Sequence, residues 1–341
     1  MSVSTIDEEV EDFKLELGWK DTVASVTNDI ATLIMKGFWL SADSIYLFRA
    51  RHSARYGQNT TSLQEGIRRV ANFIFAVAVG QVTLAFYVFA TPFLTLFSRS
   101  YRTTAGTFEG EVTGQRLFIL NPQMGPGPLP SYRTGLVSGG ERLDRLATTI
   151  RDNDPDIVFL PGVHSIYAGD LASKLKDRYH FIFSAMGPKC FDFDAGFFVA
   201  FRGELVRTPE YIPFNHQKGG YFTFETPDTL YLCTQNPSLE SLQEMCSREG
   251  KKVVLMGDLG FEPDSPEYAF LVEKGFGSAV NGVTETNVPY LDFHKKDEPP
   301  TERKNSVLFV KGEHRESKVL RMYKGEGFID QALSNHNAVL A

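Results

Sequence analysis

Side chains able to do chemistry are plentiful in this 341-residue chain, which carries 42 Asp and Glu, seven His and three Cys. Few of them are spaced for a recognisable reaction. Cys190, Cys233 and Cys246 form no CxxC or Cys/His pattern, so neither a zinc site nor a disulfide framework is indicated, and they read as buried apolar residues. Asp192 and Asp194 in KCFDFDAG, with Glu225 and Asp228, could supply a group of carboxylates, although acids in loops are ordinarily just solvated. His164 could point into a cleft, whereas a lone loop histidine is more often a surface residue; His216, His294 and His314 stand among charged residues without ligand spacing. GxGxxG, P-loop and GxSxG patterns are absent, which leaves nucleotide binding and serine-hydrolase chemistry without support.

The elements that must position any such site are easier to read. With 42% hydrophobic and 23% charged residues the chain is an ordinary folded protein, long enough for one large domain or two. Its net charge of −7 argues against a life on nucleic acid, because neutralising phosphates needs an excess of Lys and Arg. From Arg116 onward short apolar runs alternate with amphipathic ones, the signature of an α/β domain. The strand candidates are RLFILNP, DIVFLPGV, YHFIFSAM, GFFVAFR, GYFTFET, TLYLCTQN, KKVVLMGDLG, SVLFVKG and AVLA. Between the first two, Leu143, Leu146, Ala147 and Ile150 share one helical face that Asn153, Asp154 and Pro155 terminate. Further helices fit LASKLKDR, SLESLQEMCSR and SPEYAFLVEKG. YIPFN at 211–215 has the character of an exposed aromatic hairpin or of half-buried aromatics, and FHKKDEPPTERK at 293–304 that of an exposed loop.

Residues 70–98 form a run of 29 without a single charge. With charges spread evenly such a run has a probability of about 0.77 to the 29th power, so it needs a physical cause. As a helix it covers roughly 43 Å, more than the ~30 Å hydrocarbon core of a bilayer. The expected organisation is an acidic and amphipathic helical region at 1–66, a transmembrane segment at 67–98, a tether at 99–115 and a globular domain at 116–341. In the first region Val23, Val26, Ile30, Leu33 and Ile34 repeat at helical spacing, a stripe that lies on a membrane surface or packs on the main domain. Arg49, Arg51, Arg55, Arg68 and Arg69 precede the span and Arg99, Arg102 and Arg116 follow it, so the expectation is a single-pass protein with a cytoplasmic N-terminus.

Three pieces of the globular part, in this order, resemble the endonuclease/exonuclease/phosphatase superfamily of metal-dependent phosphodiesterases. ERLDRLATTIRDNDPDIVFLPGV is similar to the family's helix and strand leading to L-Q-E-V, MGDLGFEPDSPEYAFL to G-D-F-N-x-x-P-x-S-P-x-Y, and LSNHNAVLA to the closing L-S-D-H-x-x-V. The resemblance runs from Leu117 to Ala341. It implies a DNase I-like four-layer sandwich, two mixed β-sheets flanked by helices, with a site at the strand ends. It also implies Mg²⁺ held by several carboxylates and a carboxylate-backed histidine acting on water.

Residue by residue, the chain departs from that pattern. Asn121 matches the family's Asn on the first strand, Asp258 its Asp and His336 its His. Gly162 stands where the principal metal carboxylate is expected, Gln235 in place of a histidine, Gly260 in place of the Asn that meets phosphate, Ser306 in place of the Asp that orients the histidine, and Asn335 in place of a metal-side Asp. Asn121 and Asp258 are thus the residual metal positions, and His336 and Asp258 the residual catalytic ones. One carboxylate with amides makes a poor Mg²⁺ site, since Mg²⁺ is held by charge and gives up its waters reluctantly. The expectation is a membrane-anchored pseudoenzyme with no cofactor that serves a protein or lipid partner. The alternative is a metal-dependent phosphodiesterase or phosphatase, working on a lipid head group or nucleic acid with a rearranged site.

Overall fold

The computed structural model describes isolated helical positions between 23 and 41, then residues 62–97, 101–110, 112, 116–125, 139–187, 196–247, 252–260, 264–278, 307–311, 318–320 and 338–340. A 36-residue helix, α1 (Ser62–Phe97), comes first. Within it Gly66–Phe86 is long and apolar enough to cross a membrane. Only 6% of its most apolar window is buried, which separates it from the core helix of a soluble protein.

Two mixed sheets follow. One has the order β1 (Arg102–Ala105), β4 (Phe181–Met186), β5 (Phe197–Phe201), β3 (Ile157–Pro161), β2 (Leu117–Ile119), β13 (Ala338–Leu340), β12 (Lys318–Leu320). The other has the order β10 (Phe276–Ser278), β11 (Val307–Lys311), β9 (Lys252–Asp258), β8 (Thr229–Gln235), β7 (Gly220–Glu225), β6 (Glu210–Pro213). Each contains one parallel pair at its heart, β2 with β3 and β8 with β9. Their central strands are buried on both faces, which explains why they are continuous apolar runs rather than alternating ones.

Alternate residues of these runs feed different layers. Leu117, Ile119, Ile157 and Phe159 point into the core between the sheets with Phe222, Phe224, Tyr231 and Met256, while Phe118, Val158 and Leu160 point outward. Helix α2 (Gly139–Asn153) covers that outer face with Leu143, Leu146 and Ile150, and α3 (Ser165–Leu175) adds Leu171 and Leu175. On the far side of the second sheet, α4 (Leu239–Cys246) and α5 (Pro266–Glu273) bury Leu242, Met245 and Leu271 against Leu232 and Leu255. Ser238 caps α4 by accepting from Ser241 N, and Ser265 caps α5 by accepting from Tyr268 N ahead of Pro266. The result is the four-layer sandwich of the expected fold class. Each segment read as a strand is one, and each segment read as a helix contributes one.

Strands β1, β6, β10 and β12 were not among those expected, and β1 corrects the domain boundary. The stretch 99–115 reads as a tether because it is rich in Thr, Gly and Ser, yet Arg102–Ala105 pairs along β4 as an edge strand. Tyr101 inserts its ring against Phe183 and Phe222 in the inter-sheet core and donates its hydroxyl to Pro209 O at 2.6 Å. Phe108 packs edge-on to His180 and beneath the Arg202 guanidinium. Polar composition predicts a loop, but an edge strand needs only backbone partners and a few ring contacts to be held.

Candidate functional site

The parallel pairs β2/β3 and β8/β9 end on the same side of the sandwich, and each continues into a short turn. Asn121, 5% exposed, lies just after β2, and the buried Asp258 is the last residue of β9. They meet across the two sheets, Asn121 Nδ2 donating to Asp258 Oδ2 at 2.5 Å. The other end of the same amide is also engaged, since Asn121 Oδ1 accepts from Gln123 N at 3.0 Å. A buried amide can do this because it carries donors on one arm and an acceptor on the other.

Gly162, just beyond β3, explains why Asn121 lies as it does. Its φ is +86°, a left-handed conformation that favours glycine, and a Cβ built on it would sit 2.5 Å from Asn121 Oδ1. The amide oxygen therefore occupies the space a side chain would need. The second sheet repeats the arrangement. Gly260 has φ +70°, and its Cβ would fall 2.2 Å from Oδ1 of Asn236, the residue after β8. Asn236 N is hydrogen-bonded to Asp258 O at 2.9 Å. Gln123 and Asn236 themselves have φ of 47° and 45°, so all four turns at this end hold a left-handed residue. Such conformations in non-glycine residues persist only where the surroundings impose them.

Arg142, 1% exposed on the first turn of α2, imposes one of them. It donates to Pro122 O at 2.5 Å and to Gln123 O at 3.0 Å, fixing the turn that carries Asn121. Arg142 and Asn236 escaped the sequence reading. A charged residue in the first turn of an amphipathic helix looks solvated, and in TQNP attention falls on Gln235, which matches the family position and is half-buried here. His164 corrects the surface reading: it is 1% exposed and caps α3, its Nδ1 accepting from Ile166 N.

The loop acids divide. Glu225 ends β7 at the opposite end of the sandwich, where it pairs with Arg207 at 2.7 Å, and Asp228 follows in the β7–β8 turn, so neither reaches Asp258. His216 is exposed. Tyr211 and Ile212 of YIPFN are half-buried on edge strand β6 and Phe214 is buried, which favours the packing reading over an exposed hairpin; burial pushes the Tyr211 hydroxyl up to about 12. Cys233 is buried as expected, Cys246 half-buried. Asp192, Asp194, Cys190, His294, His314, Ser306, Asn335 and His336 lie outside the described residues. Among the described residues no three His, Cys, Asp or Glu side chains group closely enough to hold a metal ion.

No protein-family model matches the sequence, and no curated protein matches it either. Solved structures do. They include an endonuclease/exonuclease/phosphatase family protein from Leptotrichia buccalis at 15% identity, covering 67% of this chain and 98% of that one with a TM-score of 0.48. They also include the Bacteroides thetaiotaomicron mannosyl-6-phosphatase Bt3783 at 14% identity, 67% and 98% coverage and a TM-score of 0.46, and truncated Caenorhabditis elegans TDP2 at 14%, 66% and 95% with a TM-score of 0.46. The likeness is one of architecture. The DNase I-like assignment rests on the strand order and layers above, and the site is read from this chain's own side chains.

Proposed function

We propose that this chain is a membrane-anchored member of the endonuclease/exonuclease/phosphatase fold that binds a protein or lipid partner rather than hydrolysing a phosphodiester. The observation that carries this reading is the filling of the Gly162 position by the Asn121 amide. A hard divalent cation needs oxygen lone pairs converging on one point. Here Asp258 Oδ2 receives an N–H from Asn121, a donor where a cation would have to sit, and Asn121 Oδ1 is turned to a backbone amide. The described donor set does not fit Mg²⁺. Restoring a carboxylate at 162 is opposed by the left-handed backbone as well as by the amide, so the loss is built into the turn and is more than a missing side chain. The anchor reading is supported by α1, whose apolar side chains Phe73, Ile74, Leu84 and Phe86 are 52%, 61%, 49% and 58% exposed.

Full-length protein in lipid nanodiscs tests this directly. Titration with Mg²⁺ and Mn²⁺ is expected to give no binding heat, and bis-p-nitrophenyl phosphate, sphingomyelin and DNA no turnover. Metal-dependent turnover that vanishes in His336→Ala would overturn the reading in favour of a rearranged hydrolase.

A further inference from the structure

The part of the chain before α1 is held against the part that follows it. Lys36 Nζ lies 2.8 Å from Asp170 Oδ2 on the exposed side of α3. One residue on, a Cβ on Gly37 would meet Thr83 Cγ2 at 2.6 Å, and a Cβ on Gly80 would meet Ser41 Oγ at 3.0 Å. Residues 36–41 therefore sit beside the later half of α1 and beside the globular domain at once. From Gly80 back to Ser62 is about 27 Å of helix. Were α1 to cross a bilayer, the chain leaving Ser41 would have to traverse the hydrocarbon to reach Ser62 on the far side. The sequence forbids that traverse: between Lys36 and Glu65 no uncharged run exceeds nine residues, and a crossing needs about 20. Resting on the membrane reading above, we propose that α1 does not cross. It lies along one leaflet with its apolar side chains in the acyl boundary, and the N-terminal segment and the globular domain share one aqueous side.

The circumference of α1 has the two faces such a position requires. A helix in the interface plane needs one apolar face for lipid and a second, more polar face turned away from it. At about 100° per residue, the buried Ala76 and the half-buried Arg68, Arg69, Asn72, Gly80 and Thr83 fall within an arc of roughly 120°. Ile67, Phe73, Ile74, Val77, Leu84 and Phe86, between 44% and 63% exposed, occupy the other 220° or so. The smaller and more polar arc is the one that meets the protein's own chain, at Gly37 and Ser41. Its Thr83 hydroxyl donates back to Val79 O at 2.8 Å.

A second apolar stripe points the same way. The described positions between 23 and 41 are helical, and Val23, Val26, Ile30 and Leu33 lie within roughly 80° of one another around that helix. They are 42%, 52%, 55% and 72% exposed. The spacing of these residues in the sequence allows either packing on the main domain or contact with a membrane, and their exposure selects the membrane. A one-sided aliphatic stripe suits a helix lying in the interface and not one that passes through it, where lipid surrounds every face. Lys36, on the same helix, holds that stripe beside the domain through Asp170.

Depth along α1 tests this in full-length protein reconstituted into vesicles of phosphatidylcholine and phosphatidylserine. Ile67, Ile74, Ala78 and Ala85 are exposed and share one direction around the helix, so labels there differ only in position along it. Each is changed singly (Ile67→Cys, Ile74→Cys, Ala78→Cys, Ala85→Cys) in a chain whose native cysteines are serine, and carries a nitroxide. Equal depths, about 5–10 Å below the headgroup boundary, are expected. Labels at 74 and 78 lying about 10 Å deeper than those at 67 and 85 would show a crossing helix, overturning the proposal while keeping the anchor. Four labels fully open to an aqueous relaxant would remove the membrane reading itself. The second measurement leaves every native residue in place. With an epitope added before Met1, proteinase K outside sealed microsomes is expected to treat the epitope and the globular domain alike, digesting both or neither; digestion of one alone would overturn the shared side.

Discussion

The two ends of the sandwich treat charge in opposite ways. At the end away from the site, Arg202, with 6% of its side chain exposed, is matched to Asp154 at 2.5 Å and Asp156 at 3.4 Å. It donates Nε to Arg178 O at 2.7 Å and lies over the rings of Phe108 and Tyr179. Arg116 N donates to Asp156 Oδ2 in the same group. This is a satisfied ionic network that ties the chain entering from β1 to the start of β3 and the end of β5. At the site end, Asp258 meets an amide, and the neighbouring positions are glycines covered by amides. The Arg202 charge is met by carboxylates, whereas at the site end Asp258 and Arg142 are met by neutral partners, an amide and two backbone carbonyls.

Arg202→Ala should break that contrast most severely. It leaves the buried Asp156 without its cation and removes the platform for Phe108, so a loss of about 3–5 kcal/mol is expected in denaturant unfolding of the nanodisc-held protein. An unchanged midpoint would show that the network contributes nothing.

The two amide-covered glycines offer a finer comparison. Gly162→Ala forces a left-handed alanine against Asn121, which is buried and bonded at both ends, and should cost about 2–3 kcal/mol. Gly260→Ala meets Asn236, which is exposed and can swing away, and should cost about 1 kcal/mol from backbone strain. Equal losses would mean that Asn121 is no more firmly held than Asn236.

The smallest expected effect is on pH. The Arg202 hydrogen bond, with its charge, holds the Asp154 carboxyl below its ordinary value, and burial, with the nearby Arg202 charge, lowers His180. Both groups bind protons more readily unfolded than folded. Stability is therefore complete above the unfolded value of His180, falls as pH drops through about 6.5, and falls again below about 4 as Asp154 protonates. Asp154 is exposed and His180 only half-buried, so the drift is modest, a few degrees in thermal melts between pH 7 and 4. His180→Asn should remove the first step and leave the second.

The layers of this fold were legible in the sequence because the central strands are unbroken apolar runs and the helices carry single apolar stripes; Leu143, Leu146, Ala147 and Ile150 are buried on one face of α2 as their spacing requires. β1 was not legible. Its four residues, RTTA, carry no pattern, and their place is set by β4 and by Tyr101, whose ring packs between the two sheets. At the site, the glycines at 162 and 260 stood out only by resemblance, and their physical meaning could not be read from it. A glycine in a sequence says that a side chain is missing. Only the structure says that a neighbour's amide has taken its place and that the backbone has turned left-handed there.

By itself, then, the sequence determined the α/β layers, the long uncharged helix and the identities of Asn121, Gly162, Asp258 and Gly260, because these depend on periodicity and residue type. The tertiary structure decided what those residues do to one another. The hydrogen bond from Asn121 to Asp258 joins residues 137 positions apart on different sheets, and the pair of Lys36 with Asp170 joins residues 134 apart across a whole apolar helix. Contacts at such separations follow from the packing of complete layers, to which no local pattern of residues gives access.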